Sequence, residues 1–135
     1  MVFKVDARGN ETVLHNFTGA DGKYPYGGLV RDTAGNLYGT TFLGGTANLG
    51  VVFKLDPSGN ETVLFNFNGS GGSGPLAGLV RDAAGNLYGT TNRGGSHSNG
   101  VVFKLDPSGN ETVLHDFGGG TDGACPAAQM TLDGG

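Results

Sequence analysis

Val51-Val52-Phe53-Lys54-Leu55-Asp56-Pro57-Ser58-Gly59-Asn60-Glu61-Thr62-Val63-Leu64 recurs without a change at 101–114 and, slightly altered, at 1–14. A second stretch, Gly28-Leu29-Val30-Arg31-Asp32-Thr33-Ala34-Gly35-Asn36-Leu37-Tyr38-Gly39-Thr40-Thr41, returns at 78–91 with Ala83 in place of Thr33. Both stretches repeat at a spacing of 50 residues. That period suits a four-stranded propeller blade and is too long for one coil of a β-helix. The repeat also gives meaning to the composition, in which 28 of 135 residues are Gly and 5 are Pro. Without a period, so much Gly and Pro suggests low complexity; with one, it describes a fold made largely of turns. Helix is disfavoured, since a helical Gly costs about 1 kcal/mol relative to Ala.

Each unit divides into four short β runs, here called A (78–82), B (86–91), C (51–56) and D (61–67). Val, Leu, Phe, Tyr and Thr dominate them, and turn residues bound each one. In D, Val63, Phe65 and Phe67 alternate with Thr62, Leu64 and Asn66. Neither set is wholly polar, as expected of a sheet packed between two neighbours. Asp56-Pro57-Ser58-Gly59 has the residue preferences of a type I turn, and Asp82-Ala83-Ala84-Gly85 repeats the layout without Pro. Allowing one inserted residue, the tail aligns as well, Met130-Thr131-Leu132-Asp133 matching Leu29-Val30-Arg31-Asp32.

The expected fold is all-β: a partial propeller of about 2.7 four-stranded antiparallel blades. It divides into a half blade (1–17), two blades (27–67 and 77–117) and the first strand of a further blade (126–135), eleven strands in all. Closed propellers need about four to eight blades. The sequence therefore reads as part of a longer array, with closure by three chains as the alternative. Left open, its terminal strands are edges that favour self-association.

The net charge is −4, and the eight Lys and Arg residues are scattered. No basic stripe exists to neutralise phosphates, which argues against nucleic-acid binding. No apolar run reaches the roughly 18 residues of a membrane span. Residues 1–6 lack the layout of a secretory signal. The single Cys125 excludes a disulfide framework within the chain and a cysteine-based zinc cluster.

The polar residues offer little chemistry. The turn aspartates, Asp6, Asp32, Asp56, Asp82, Asp106 and Asp133, read as backbone-bonding turn residues, because each turn offers too few oxygens for a calcium loop. His15 and His115 share a position with Phe65, which points to a packed ring rather than a base. His97 stands in a polar loop with no paired acid at useful spacing. Arg31 and Arg81 are expected to pair between blades, with anion binding in a central channel as the alternative. No Gly-x-Ser-x-Gly elbow, phosphate loop or His-x-x-x-His pair occurs. Neither a cofactor nor a metal is implied.

In an up-and-down meander, the A–B and C–D turns share one end of the sheet, and the D–A and B–C connections share the other. The first set is short and nearly invariant between copies, whereas the second is long and varied. Loops on a rigid scaffold are where recognition tends to reside. The expected ligand face is therefore the D–A/B–C end, with Lys23, Tyr24, Tyr26, Asn92, Arg93 and His97 as its best-equipped residues. With no Trp in the chain, Tyr or Phe must supply any stacking platform for a sugar.

The pair 78–91 and 101–114, in fixed order, resembles the bacterial GloVer tandem repeat, and the likeness covers nearly the whole chain. More loosely, Leu79-Val80-Arg81-Asp82-Ala83-Ala84-Gly85-Asn86-Leu87-Tyr88 followed by Val102-Phe103-Lys104-Leu105-Asp106-Pro107-Ser108-Gly109 looks like an NHL-type blade. The resemblance implies a propeller and an extracellular or cell-surface location, but no catalytic residues. The expected role is a non-catalytic scaffold or binding module for a glycan or protein ligand. The alternative is a segment of a propeller hydrolase or lyase whose catalytic residues lie in other blades.

Overall fold

The structure is a computed structural model and describes residues 1–133. Among them there is no helix, and ten strands form three antiparallel sheets. The first sheet is the hairpin β1 (Val2–Val5) and β2 (Glu11–His15). The second runs β3 (Val30–Arg31), β4 (Leu37–Thr41), β5 (Val51–Leu55) and β6 (Glu61–Asn66), side by side in chain order. The third repeats this with β7 (Val80–Arg81), β8 (Leu87–Thr90), β9 (Val101–Leu105) and β10 (Glu111–Asp116). None of the sheets closes on itself.

Turn chemistry sets the hairpins. In the β5–β6 turn, Gly59 N–H donates to Asp56 O at 3.0 Å, and Asp56 N–H donates to Asn60 O at 3.0 Å. Gly59 supplies the positive φ of 90° that this three-residue loop requires. Asp56 Oδ1 accepts from the N–H groups of Ser58 and Asn60, both at 2.9 Å, and Oδ2 accepts from Asn60 Nδ2 at 2.9 Å. The turns at Asp6, Asp32, Asp82 and Asp106 are bonded in the same way. These carboxylates are thus occupied by their own turns, as the sequence suggested. The proposed turn at Asp133 reaches residues 134 and 135, outside the described residues.

Three expectations need correction. Strict alternation in run D fails, because the β5–β6 register slips between Val52↔Phe65 and Phe53↔Val63. Leu64 is the extra residue of a bulge, and Leu64 and Phe65 both pack toward the third sheet while Val63 packs toward the first. Run A is also shorter than expected, with only two residues in β3 and in β7. Finally, residues 126–133 contain no strand, so ten strands replace the expected eleven. The strand that would pair with this segment is a following run B, and none exists among the described residues.

The core lies between sheets. Val2, Val51, Phe53 and Leu55 form one buried cluster, with Leu14 and Phe17 packed against it. Val52, Phe67, Leu79, Leu87, Val101, Phe103 and Leu105 form the second. At both junctions the Phe just past the D strand meets the next unit's C-strand Phe edge-on: Phe17 on Phe53 at 5.0 Å, and Phe67 on Phe103 at 5.2 Å. Each unit therefore buries its apolar face only against a neighbour, the defining economy of a repeat array. Phe3 stands at the repeat position of Phe53 and Phe103 but is 50% exposed, while they are fully buried.

A candidate binding face on the long connections

The meander places the 42–50 and 67–79 connections at the same end of the sheets, opposite the tight turns. These long loops are not slack. Phe42 N–H donates to Tyr24 O at 2.9 Å, and Lys23 and Leu43 exchange two backbone bonds. Gly74 N–H then donates to Leu49 O at 2.9 Å, Asn92 N–H to Gly74 O at 3.1 Å, and Cys125 N–H to Asn99 O at 2.6 Å. Each B–C loop is thus bonded to the D–A connection before it and to the one after it. A continuous belt results.

Of the six expected ligand residues, the structure gathers three. Tyr24 and Tyr26 stack at 6.0 Å with an interplanar angle of 6°, and Lys23 Nζ lies 5.1 Å from the centre of the Tyr24 ring. Phe42, which the sequence reading left out, extends the row at 5.8 Å from Tyr26. Both tyrosines are exposed, Tyr26 by 63%. Tyr24 holds a left-handed φ of 60°, where the next copy has Gly74 at 61°. Such a conformation strains a bulky side chain, and strain of this kind tends to be kept at functional sites.

The other three lie on the loop of the third sheet. Arg93 pairs through its backbone with Ser73, and Asn92 Nδ2 reaches Cys125 O at 3.4 Å. His97 does have a neighbouring acid, with Nδ1 3.8 Å from Asp116 Oδ1. Ser96, through its own bonds to Asp116, is the main reason that this carboxyl titrates below its ordinary range. His97 remains 60% exposed, on the rim.

Between the second and third sheets, at the tight-turn end, a cleft of about 310 Å³ opens beside Tyr38, Lys54, Arg81 and Asp106. The Arg81 guanidinium lies 5.8 Å from the centre of the Tyr38 ring, and Tyr38 OH donates to Asp32 Oδ2 at 3.0 Å. The expected pairing between units therefore runs through a tyrosine rather than directly to a carboxylate. Arg81 Nε is buried with no hydrogen-bond partner among the described residues.

The histidine positions held more than packed rings. His15 and His115 do meet Phe17 and Phe117 edge-on, at 4.8 and 4.7 Å. His15 Nε2 also lies 2.9 Å from Asp21 Oδ2, and His115 Nε2 lies 3.3 Å from Asp122 Oδ2. Burial pushes Asp21 up, but the bonds from Thr18, followed by His15, outweigh it and leave the carboxyl below its ordinary value. Opposite them, Glu61 is held above its ordinary value by burial and then by the charge of Asp21. A sequence signal existed: His accompanies Asp in two copies, and Phe65 accompanies Gly71 in the other.

Stacked antiparallel sheets, invariant turns and one variable belt define a class of all-β tandem-repeat protein. Within that class, the chain belongs to the Gloeobacter/Verrucomicrobia repeat family, whose model matches residues 1–135. Comparison with curated proteins gave no match. No helix among the described residues is long and apolar enough to cross a membrane.

Proposed function

We propose that the three sheets are successive blades of a β-propeller array, and that the array is a non-catalytic binding module displayed outside the cell. The radial arrangement is supported by the approach of neighbouring units at the start of run A, where Thr40 Oγ1 donates to Ala77 O at 3.2 Å. Short inner strands converging on one axis make such an approach. The extracellular placement rests on the family resemblance alone. The cleft lined by Lys54, Arg81 and Asp106 has no Ser, Thr, Cys or His among its lining residues, which supports binding over catalysis.

The observation that carries the binding reading is the aromatic row of exposed Tyr24 and Tyr26 and half-buried Phe42, with Lys23 beside it. Flat rings fixed on a bonded belt present an apolar platform at little cost in side-chain entropy, suited to the faces of sugar rings. The ligand class we assign is a neutral or acidic glycan. NMR titration with an oligosaccharide panel tests this: shifts confined to the Tyr24, Tyr26 and Phe42 rings, abolished in Tyr26→Ala, are expected. Shifts elsewhere, or none, would count against it.

A further inference from the structure

We propose that His15 Nε2, Asp21 Oδ2 and the Glu61 carboxylate form a three-ligand site for a divalent transition ion, best matched by Zn²⁺, that clasps the first sheet to the second. One ligand atom from each residue lies within 4.8 Å of the other two. Tetrahedral donors at about 2.0–2.2 Å from one ion stand about 3.3–3.6 Å apart, so a small side-chain shift that parts His15 Nε2 from Asp21 Oδ2, now at 2.9 Å, and draws in the Glu61 carboxylate would seat it.

The three side chains arrive by separate routes. The β1–β2 register slips between Val2↔His15 and Phe3↔Val13, leaving Leu14 as the extra residue of a bulge. Leu14 then packs into the inter-sheet cluster, and His15 sits beside it on the same junction. The same bulge recurs at Leu64 and Leu114, so the repeat backbone sets the direction of this position and the sequence supplies the imidazole. Asp21 comes from the connection after β2. Its Oδ1 is fixed by Thr18 N–H at 2.7 Å and Thr18 Oγ1–H at 2.9 Å, which leaves Oδ2 for His15. Outer bonds of this kind orient a ligating carboxylate. Glu61 opens β6 in the next sheet, and its Oε1 is shut off from solvent with no hydrogen-bond partner.

Among the described residues, neither Asp21 nor Glu61 forms an ion pair with a Lys or Arg side chain. A single imidazole with two carboxylates and no thiolate suits zinc and similar first-row ions better than calcium or magnesium, which favour oxygen alone. Three protein ligands leave a fourth position for water.

The repeat supplies its own control. At the next junction the equivalent residues are Phe65, Gly71 and Glu111, and a Cβ on Gly71 would lie 2.9 Å from Glu111 Oε2. Glu111 Oε1 is also buried without a partner, so the glutamate's place belongs to the repeat itself. The other two ligands are what distinguish the first junction. They enter and leave the repeat together, as partners do.

The test uses the full chain carrying His115→Phe, which silences the outlying His115–Asp122 pair. Zn²⁺ uptake is followed by calorimetry, and Co²⁺ by its visible absorption bands. One equivalent of ion should bind and raise the melting temperature with ion concentration. The double variant His15→Phe with Asp21→Gly copies the second junction, so it should fold and bind at least about tenfold more weakly. The isosteric Asp21→Asn and Glu61→Gln, which guard against a folding failure, should each weaken binding similarly. No uptake by the parent chain at micromolar zinc, or undiminished affinity in any of these variants, overturns the proposal.

Discussion

Gly27 approaches Ala77 so closely that a Cβ on the glycine would stand 2.6 Å from the Ala77 carbonyl carbon. The next residue, Gly28, would find nothing within 4 Å of the same added atom. Two adjacent glycines therefore differ in what they permit: one marks backbone-to-backbone contact between units, and the other faces open space. Gly27→Ala should cost about 1–3 kcal/mol, the range for overpacking. Gly28→Ala should change stability little. Urea unfolding midpoints of the two variants check the contrast.

Phe3, Phe53 and Phe103 occupy one repeat position in three different environments. Phe53 and Phe103 are fully buried and Phe3 is half exposed. Substitution to Ala at either buried site should cost about 3–5 kcal/mol. At Phe3 the same change should cost far less and should reduce concentration-dependent association, because Phe3, Val5 and Leu114 form exposed apolar surface on the outer sheets. These exposed sheet faces add a second candidate surface for self-association beside the open strand edges expected from the sequence. Light scattering of Phe3→Ser against the parent chain measures this.

The turn aspartates link stability to pH. Asp32 is held down to about 2 from its ordinary 3.8, chiefly by the side-chain amide of Asn36, with further help from the Asn36 N–H and the Tyr38 hydroxyl. Asp6, Asp56, Asp82 and Asp106 are lowered as well. A depressed folded value means that these bonds contribute fully above the unfolded pKa and are lost as pH falls through the folded one. Stability should therefore hold above about pH 5 and decline between about 4 and 2. Asp32→Asn should flatten part of that decline, which thermal melts across the range will show.

Tyr24→Gly sets stability against function. Placing glycine at a φ of 60°, as Gly74 does at 61°, removes backbone strain but also removes the ring stacked on Tyr26. The strain and the stacking are each worth on the order of 1 kcal/mol, so stability should move by no more than about 1 kcal/mol. Glycan-dependent shifts at Tyr26 and Phe42 should nevertheless disappear. Melting curves paired with the NMR titration read both effects on one variant.

Much of the architecture was legible locally. Asp56, Gly59 and Asn60 announce their turn because every bond it needs lies within five residues. The 50-residue period told which connections share an end, and the observed meander agrees. The bulge at Leu64 was not legible: Val63, Leu64 and Phe65 are all apolar, so no polar residue marks the slip in register. Phe42 escaped notice because its role depends on a belt bonding it to Tyr24 from a different connection.

The sequence by itself determined the repeat, the hairpins and the division into constant and variable ends. These follow from turn residues and short-range periodicity, which act along the chain. Only the tertiary structure decided which equivalent residues become different. Phe3 is exposed where Phe53 is buried, Tyr24 is strained where Gly74 is at ease, and Glu61 meets a histidine where Glu111 meets a glycine. The physical reason is that each unit completes its core and its junction chemistry with side chains from a neighbouring unit. Identical stretches of sequence therefore acquire their separate properties from what is stacked against them.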